Sequence, residues 1–149
     1  LHLSLRRQRQ MCIRDRYIGK EVEGSPSPFM NWLKPQILKV EEGSLAFSYK
    51  IRPEMANPFG TLHGGITAAI IDDAMGATLI AYGEEVFHVT VNLSVDYFAT
   101  ARVGDVVIAE TQVVKKGRQI VNIHCDVWNA DRSKLLAKGY SNLIKTPIK

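Results

Sequence analysis

Two carboxylates stand side by side in the most apolar stretch of this chain. In NPFGTLHGGITAAIIDDAMG, residues 57–76, Asp72 and Asp73 lie among Ala, Ile, Met and Leu. Taking an unpartnered carboxylate out of water costs several kcal/mol, roughly, so a pair kept there needs partners or a task. A buried carboxylate has two chemical uses: it takes a proton from an attacking water, or it attacks an acyl carbon itself. Upstream in the same segment stand His63, Gly64 and Gly65. Glycines at a helix start leave backbone N–H groups unpaired and unshielded, with the positive end of the helix dipole behind them. Such a terminus stabilises charge developing on a carbonyl oxygen.

The two acids differ by about 100° around a helix. Asp73 shares a stripe with Ile66, Ile70 and Ala77, and Asp72 with Ala68, Ala69, Gly76 and Leu79. The small-residue stripe leaves room for a substrate or a second helix, which favours Asp72 as the reactive group.

The elements that must hold these residues follow from periodicity. Gly64 to about Tyr82 is the long helix candidate, apolar nearly all round, so it must be wrapped on most sides. Before it, QILKVEEGSLAFSYKI reads as a hairpin turning at Glu42-Gly43, with Leu45, Phe47, Tyr49 and Ile51 alternating. SPSPFMNWL predicts a short covering helix with Phe29, Trp32 and Leu33 at helical spacing. After Gly83 the period is two. In FHVTVNLSVDYF the odd positions from Phe87 to Tyr97 are apolar and the even ones polar, which predicts a half-buried strand with Thr90 on its polar face. Two strands follow around a turn at Lys116-Gly117, the second with Val121, Ile123, Cys125 and Val127 on one face. SKLLAKGYSNLIK makes the last strand after a turn at Asn129 to Ser133. One hairpin, one long helix and a four-stranded meander predict an α+β fold, an antiparallel sheet curled around the helix.

Composition narrows the functions. At 149 residues, with 46% hydrophobic and 23% charged, the chain fits one soluble globular domain. Its net charge of +4 sits in residues 1–16, which hold five arginines and one aspartate; the remainder balances at 14 basic and 14 acidic side chains. A neutral body argues against a nucleic-acid footprint. LHLSLRRQRQMCIRDR contains neither a secretory apolar run nor a membrane span, and it resembles translated adaptor sequence. The expectation is a disordered or non-native tail over 1–16 and one domain over 17–149. Cys12 falls in that tail and Cys125 in a strand, so no disulfide is expected and a reduced, cytoplasmic setting fits. His88 and His124 lie on polar strand faces without partners at metal-ligand spacing, so no metal is expected.

The pattern as a whole resembles the hotdog-fold thioesterases, and within them the phenylacetate-type acyl-CoA thioesterase group. The resemblance is carried by Asn57, GTLHGG at 60–65, Asp72 nine residues after His63, and VNLSVDYFATARVGD at 91–105. It implies hydrolysis of acyl-CoA thioesters, aryl or medium-chain, without metal or cofactor, by a homodimer or a homotetramer built as a dimer of dimers. It implies Asp72 as general base or nucleophile and Gly64, with Gly65 beside it, polarising the carbonyl. Asn57 and His63 would orient the thioester or a water. Thr90 matches a position where the family can carry a serine that helps place the water or nucleophile; the hydroxyl is kept and a methyl added. Asp73 stands where relatives need no acid, and is expected as a hydrogen-bonded neighbour on the substrate side. The phosphates of CoA call for cations near the mouth, with Arg102 and, in the KKGR turn, Lys115, Lys116 and Arg118 as candidates. Two other functions share the fold. A hydratase or dehydratase would show Pro-Gly near the helix start or an Asp-x-Asn-x-x-His pattern, and neither is present. A non-catalytic acyl-CoA sensor would add a DNA-binding helical unit, for which residues 1–34 are too short and irregular.

Within one chain His63 and Asp72 cannot meet at one carbonyl. Nine helical residues mean a rise of about 13.5 Å and a turn of about 900°, against the roughly 3 to 3.5 Å that an attacking atom needs. The expectation is a two-fold axis with the long helices antiparallel. Each site would then take Asp72 and Thr90 from one chain and Asn57, His63 and Gly64 from the other.

Overall fold

The apolar segment does form one helix, and the sheet covers one side of it. A computed structural model describes residues 16–81 and 86–147. The elements are α1 (Pro28–Leu33), β1 (Gln36–Glu41), β2 (Ser44–Lys50), a 3₁₀ turn (Pro53–Met55), α2 (Gly64–Ile80), β3 (Phe87–Tyr97), β4 (Val106–Lys116), β5 (Ile120–Asn129) and β6 (Leu135–Thr146). The expected tail, Cys12 included, and the expected helix end at Tyr82 lie outside the described residues, apart from Arg16. Cys125 is a buried free thiol.

The strands form one antiparallel sheet in the order β1-β2-β4-β5-β6-β3. The expected four-stranded meander is therefore corrected to three strands, β4-β5-β6, with β3 at the far edge beside β6. The reason is that β2 already occupies the free side of β4, so the chain leaving β3 must cross over to reach it. Residues 19–22 run along the other edge: Gly19 N–H donates to Ile37 O, Ile37 N–H to Lys20 O and Val22 N–H to Pro35 O. Among the described residues no strand covers the outer side of β3.

The concave face of the sheet holds α2 through Ile70, Ile71, Ala74, Met75 and Leu79, all buried. Helix and sheet come close at Gly139 on β6, where an added Cβ would press into the Ile71 side chain. A side chain there would push helix and sheet apart. Leu45, Phe47, Tyr49 and Ile51 are buried as their alternation predicts, and so are Val121, Ile123, Cys125 and Val127.

Two expectations fail on side-chain direction. In α1 it is Met30 and Leu33 that turn inward. Phe29 and Trp32 stack on each other outside, with the Arg52 guanidinium 5.0 Å over the Trp32 ring. In β3 the strict alternation is broken. Its register with β6 shifts between Thr90 and Asn92, so the strand changes faces within its length. Before the bulge the even residues point inward: His88 is buried and Thr90 half-buried, while Phe87, Val89 and Val91 are exposed. After it the odd residues Leu93 and Val95 pack on the core. The one-residue slip reverses which face is apolar.

Candidate active site

The start of α2 is held from two sides. His63 is its N-cap, in extended backbone, and Nδ1 accepts from Gly65 N–H at 2.9 Å. In its neutral form a histidine that accepts at Nδ1 carries its proton on Nε2, so the ring presents an N–H donor outward. The absence of a side chain at Gly65 is what lets the ring close in, since an added Cβ would sit 3.1 Å from Nδ1. Gly65 N–H is thus taken up by the cap. Gly64 N–H has no acceptor among the described residues and remains open to a carbonyl oxygen. From the opposite side the Tyr97 hydroxyl donates to Gly64 O at 2.9 Å, with the ring packed on Gly64.

Further along, Asp72 is half-buried and its Oδ1 accepts from the Thr90 hydroxyl at 2.8 Å. The hydrogen bond depends on the bulge, because only the slipped register turns Thr90 toward the helix. Ala68, Ala69 and Gly76, which share its side of the helix, are half-open too. Asp73 is also half-buried, but its Oδ2 is enclosed without a hydrogen-bond partner. Burial, and then the charge of Asp72, push its carboxyl up to about 6.

Asn57 serves its own loop. Its Oδ1 accepts from the amides of Phe59 and Thr61, and its Nδ2 donates to the Thr61 hydroxyl at 2.9 Å. One Nδ2 hydrogen is left to point elsewhere. The candidate cations fall into two groups. Arg102 bridges to Thr61 through backbone, beside the helix start. Lys116 pairs with Val121, which pairs with Leu143, which pairs with Thr90. The KKGR turn therefore lies at the Asp72 end, about three strand spacings or 14 Å across the sheet. Within the chain the structure joins Thr90 to Asp72 and His63 to Gly64 and Gly65, and keeps the two clusters apart along α2.

Tyr97 and Thr61 were not singled out from sequence, although both touch these residues. Tyr97 ends an alternating strand and reads there as one more apolar residue; Thr61 reads as loop. The described residues include no group of His, Cys, Asp and Glu arranged to hold a metal ion. No described helix is long and apolar enough to cross a membrane.

A six-stranded antiparallel sheet curled around one long helix, with a glycine helix start and a carboxylate two turns along, is the hotdog fold. The chain belongs to the thioesterase superfamily, whose family model matches residues 59–136. Its sequence is 27% identical over 106 residues to human acyl-coenzyme A thioesterase 13, covering 71% of this chain and 76% of that one. The structure of zebra fish thioesterase superfamily member 2 superposes with a TM-score of 0.74 at 26% identity, over 83% of this chain and 89% of that chain. A hypothetical thioesterase from Streptococcus pneumoniae, solved with coenzyme A, shares the fold with a TM-score of 0.72 at 22% identity, over 78% and 88%.

Proposed function

We propose that this protein hydrolyses acyl-CoA thioesters, with an aryl or medium-chain acyl group, in a site completed by a second copy of the chain. The observation that carries the reading is the Thr90–Asp72 hydrogen bond. It aims a carboxylate at the half-open face of α2, where a hydroxyl holds it and no cation among the described residues pairs with it. The name of the human relative and the coenzyme A in the streptococcal structure support the substrate class.

In this mechanism the thioester oxygen accepts from Gly64 N–H and from His63 Nε2–H. Asn57 keeps the loop that carries them in shape. Asp72 takes a proton from water as the water oxygen bonds to the acyl carbon, or its own carboxylate attacks and water releases the acyl group afterwards. Either way the carbonyl electron pair moves onto oxygen, where the helix dipole stabilises it. Its return breaks the C–S bond and releases CoA as thiolate. The phosphates of CoA fall to Arg102, Lys115, Lys116 and Arg118.

Gly64 and Asp72 are separated by a helical rise of about 12 Å, so the oxyanion donors come from the other chain. The stripe of Ala68, Ala69 and Gly76 admits a second helix at close range, and β3 offers its edge to a second strand. Two such dimers would make the tetramer.

Complementation tests the composite site. Asp72→Asn and His63→Ala proteins, each inactive, are unfolded, mixed equally and refolded together. Random pairing makes about half the dimers mixed, each with one intact site, so about a quarter of wild-type activity returns. A mixture that stays inactive while containing mixed dimers refutes the arrangement.

A further inference from the structure

Strand β3 reaches α2 with two hydroxyls, and the mechanism above uses one of them. Thr90 donates to Asp72 in the middle of the helix, and Tyr97 donates to Gly64 O at its start. The two residues stand seven apart in sequence, and in a regular strand an odd separation puts side chains on opposite faces. The bulge between Thr90 and Asn92 is what turns both toward the helix. Tyr97 itself is anchored in the sheet: it pairs with Ala137 on β6, and Phe98 N–H donates to Leu136 O at 2.8 Å.

What Tyr97 holds is the peptide unit between two glycines. Its hydroxyl donates to the carbonyl of that unit, Gly64 O, at 2.9 Å, and the amide of the same unit, Gly65 N–H, donates to His63 Nδ1 at 2.9 Å. Glycine on both sides lets the backbone around the unit rotate at little steric cost. Side chains at both of its polar ends oppose that rotation. The preceding unit is held by its carbonyl alone, since His63 O accepts from Thr67 N–H at 3.0 Å, and its N–H is the open one of Gly64. A hydroxyl on Gly64 O also draws electron density through the amide. Gly65 N–H then donates more strongly to Nδ1, and the imidazole more strongly at Nε2.

We propose that Tyr97 is a positioning residue for the oxyanion donors: through the Gly64–Gly65 peptide, its hydroxyl keeps Gly64 N–H and His63 Nε2–H aimed at one oxygen. This role rests on the reading of Gly64 and His63 as donors to the thioester. The charge on that oxygen is greatest in the transition state, so loosening its donors lowers kcat and spares KM.

Tyr97→Phe keeps the ring and removes the hydroxyl. With acyl-CoA as substrate, kcat falls about tenfold, less than the roughly 10²–10³ that follows loss of a donor outright, and KM stays within about twofold of wild type. Unchanged kcat and KM in the variant, beside an active wild type, overturn the role of Tyr97 alone. So does a raised KM with kcat kept, which would place the hydroxyl in ground-state binding. A second measurement needs no turnover. By amide NMR, the Gly65 proton moves upfield in Tyr97→Phe as its bond to Nδ1 weakens, while the amides of β5 keep their positions. The ring current is common to both proteins, so the hydroxyl is the difference. An unmoved Gly65 amide overturns the clamp, and so do shifts spread evenly through β5, because lost packing gives that result. A wild-type protein that hydrolyses no acyl-CoA ester overturns the thioesterase reading and this role with it.

Discussion

The hydroxyl of Thr90 separates Asp72 from an ordinary helix-surface acid. Asp72→Asn keeps the shape and removes the base or nucleophile, so hydrolysis falls by about 10²–10⁴ while folding, read by circular dichroism, is kept. Thr90→Val removes the 2.8 Å hydrogen bond and lowers kcat by about tenfold; Thr90→Ser restores most of it. Equal activity of the valine and serine variants would remove the hydroxyl from the account. Asp73 makes a different prediction, about stability. The folded protein holds its proton up to about 6, whereas an unfolded aspartate gives it up near its ordinary value of 3.8. Between those values the folded state binds more protons, so the contribution of this group to stability falls as pH rises. Asp73→Asn therefore gains on wild type from about pH 4 to about 6 and holds a constant advantage above, about 1 kcal/mol once solvent screening is discounted. Melting temperatures across pH check this, and an advantage that shrinks with rising pH contradicts it. At this scale the sequence made the candidates stand out, because carboxylates and glycines in an apolar run are anomalies. It was silent on Tyr97, whose hydroxyl matters only through its tertiary neighbour Gly64.

Helix α2 depends on its first turn. His63→Ala removes the side-chain cap and costs about 1 kcal/mol of stability together with the Nε2 donor. His63→Asn separates the two, since asparagine caps well but does not place a donor where Nε2 does. Stability recovers in that variant and activity does not, as urea unfolding and a thioester assay will show. At the other contact of the helix, Gly139→Ala forces a methyl against Ile71 and costs about 1–3 kcal/mol. That glycine is unremarkable in the sequence, because its reason lies on another element. The long helix, the first hairpin and the 121–127 face were legible, since each has a clean period and a turn. β3 was legible as a strand but not by face. One extra residue at the bulge exchanges inside and outside, and a pattern of alternation carries no mark of where that happens. The same slip gives Thr90 its place beside Asp72.

For the whole molecule, the deciding asymmetry is between the two edges of the sheet. Residues 19–22 hydrogen-bond along β1, whereas among the described residues no strand pairs with the outer edge of β3, where Phe87, Val89 and Val91 are exposed. Charge on that edge blocks pairing with another strand. Val91→Lys should leave a folded monomer by light scattering, with hydrolysis lost because the partner's oxyanion donors are gone. A fully active monomer would show that one chain suffices. Residues 19–22, which bond along β1, lie within the domain expected over 17–149. The arginine-rich tail ends just before residues that do structural work, so removing 1–16 should leave the melting temperature unchanged, and removing 1–24 should lower it. The start of the β1 edge is covered by the chain itself, at a rate independent of concentration, and in the proposed dimer the open edge is closed only by collision with a copy. In the proposed dimer folding acquires a second-order step: on refolding, the lifetime of the open-edged species scales inversely with concentration. Dilution prolongs that state and crowding with unrelated unfolded chains diverts it into aggregates, so the yield of active protein should pass through a maximum at intermediate concentration.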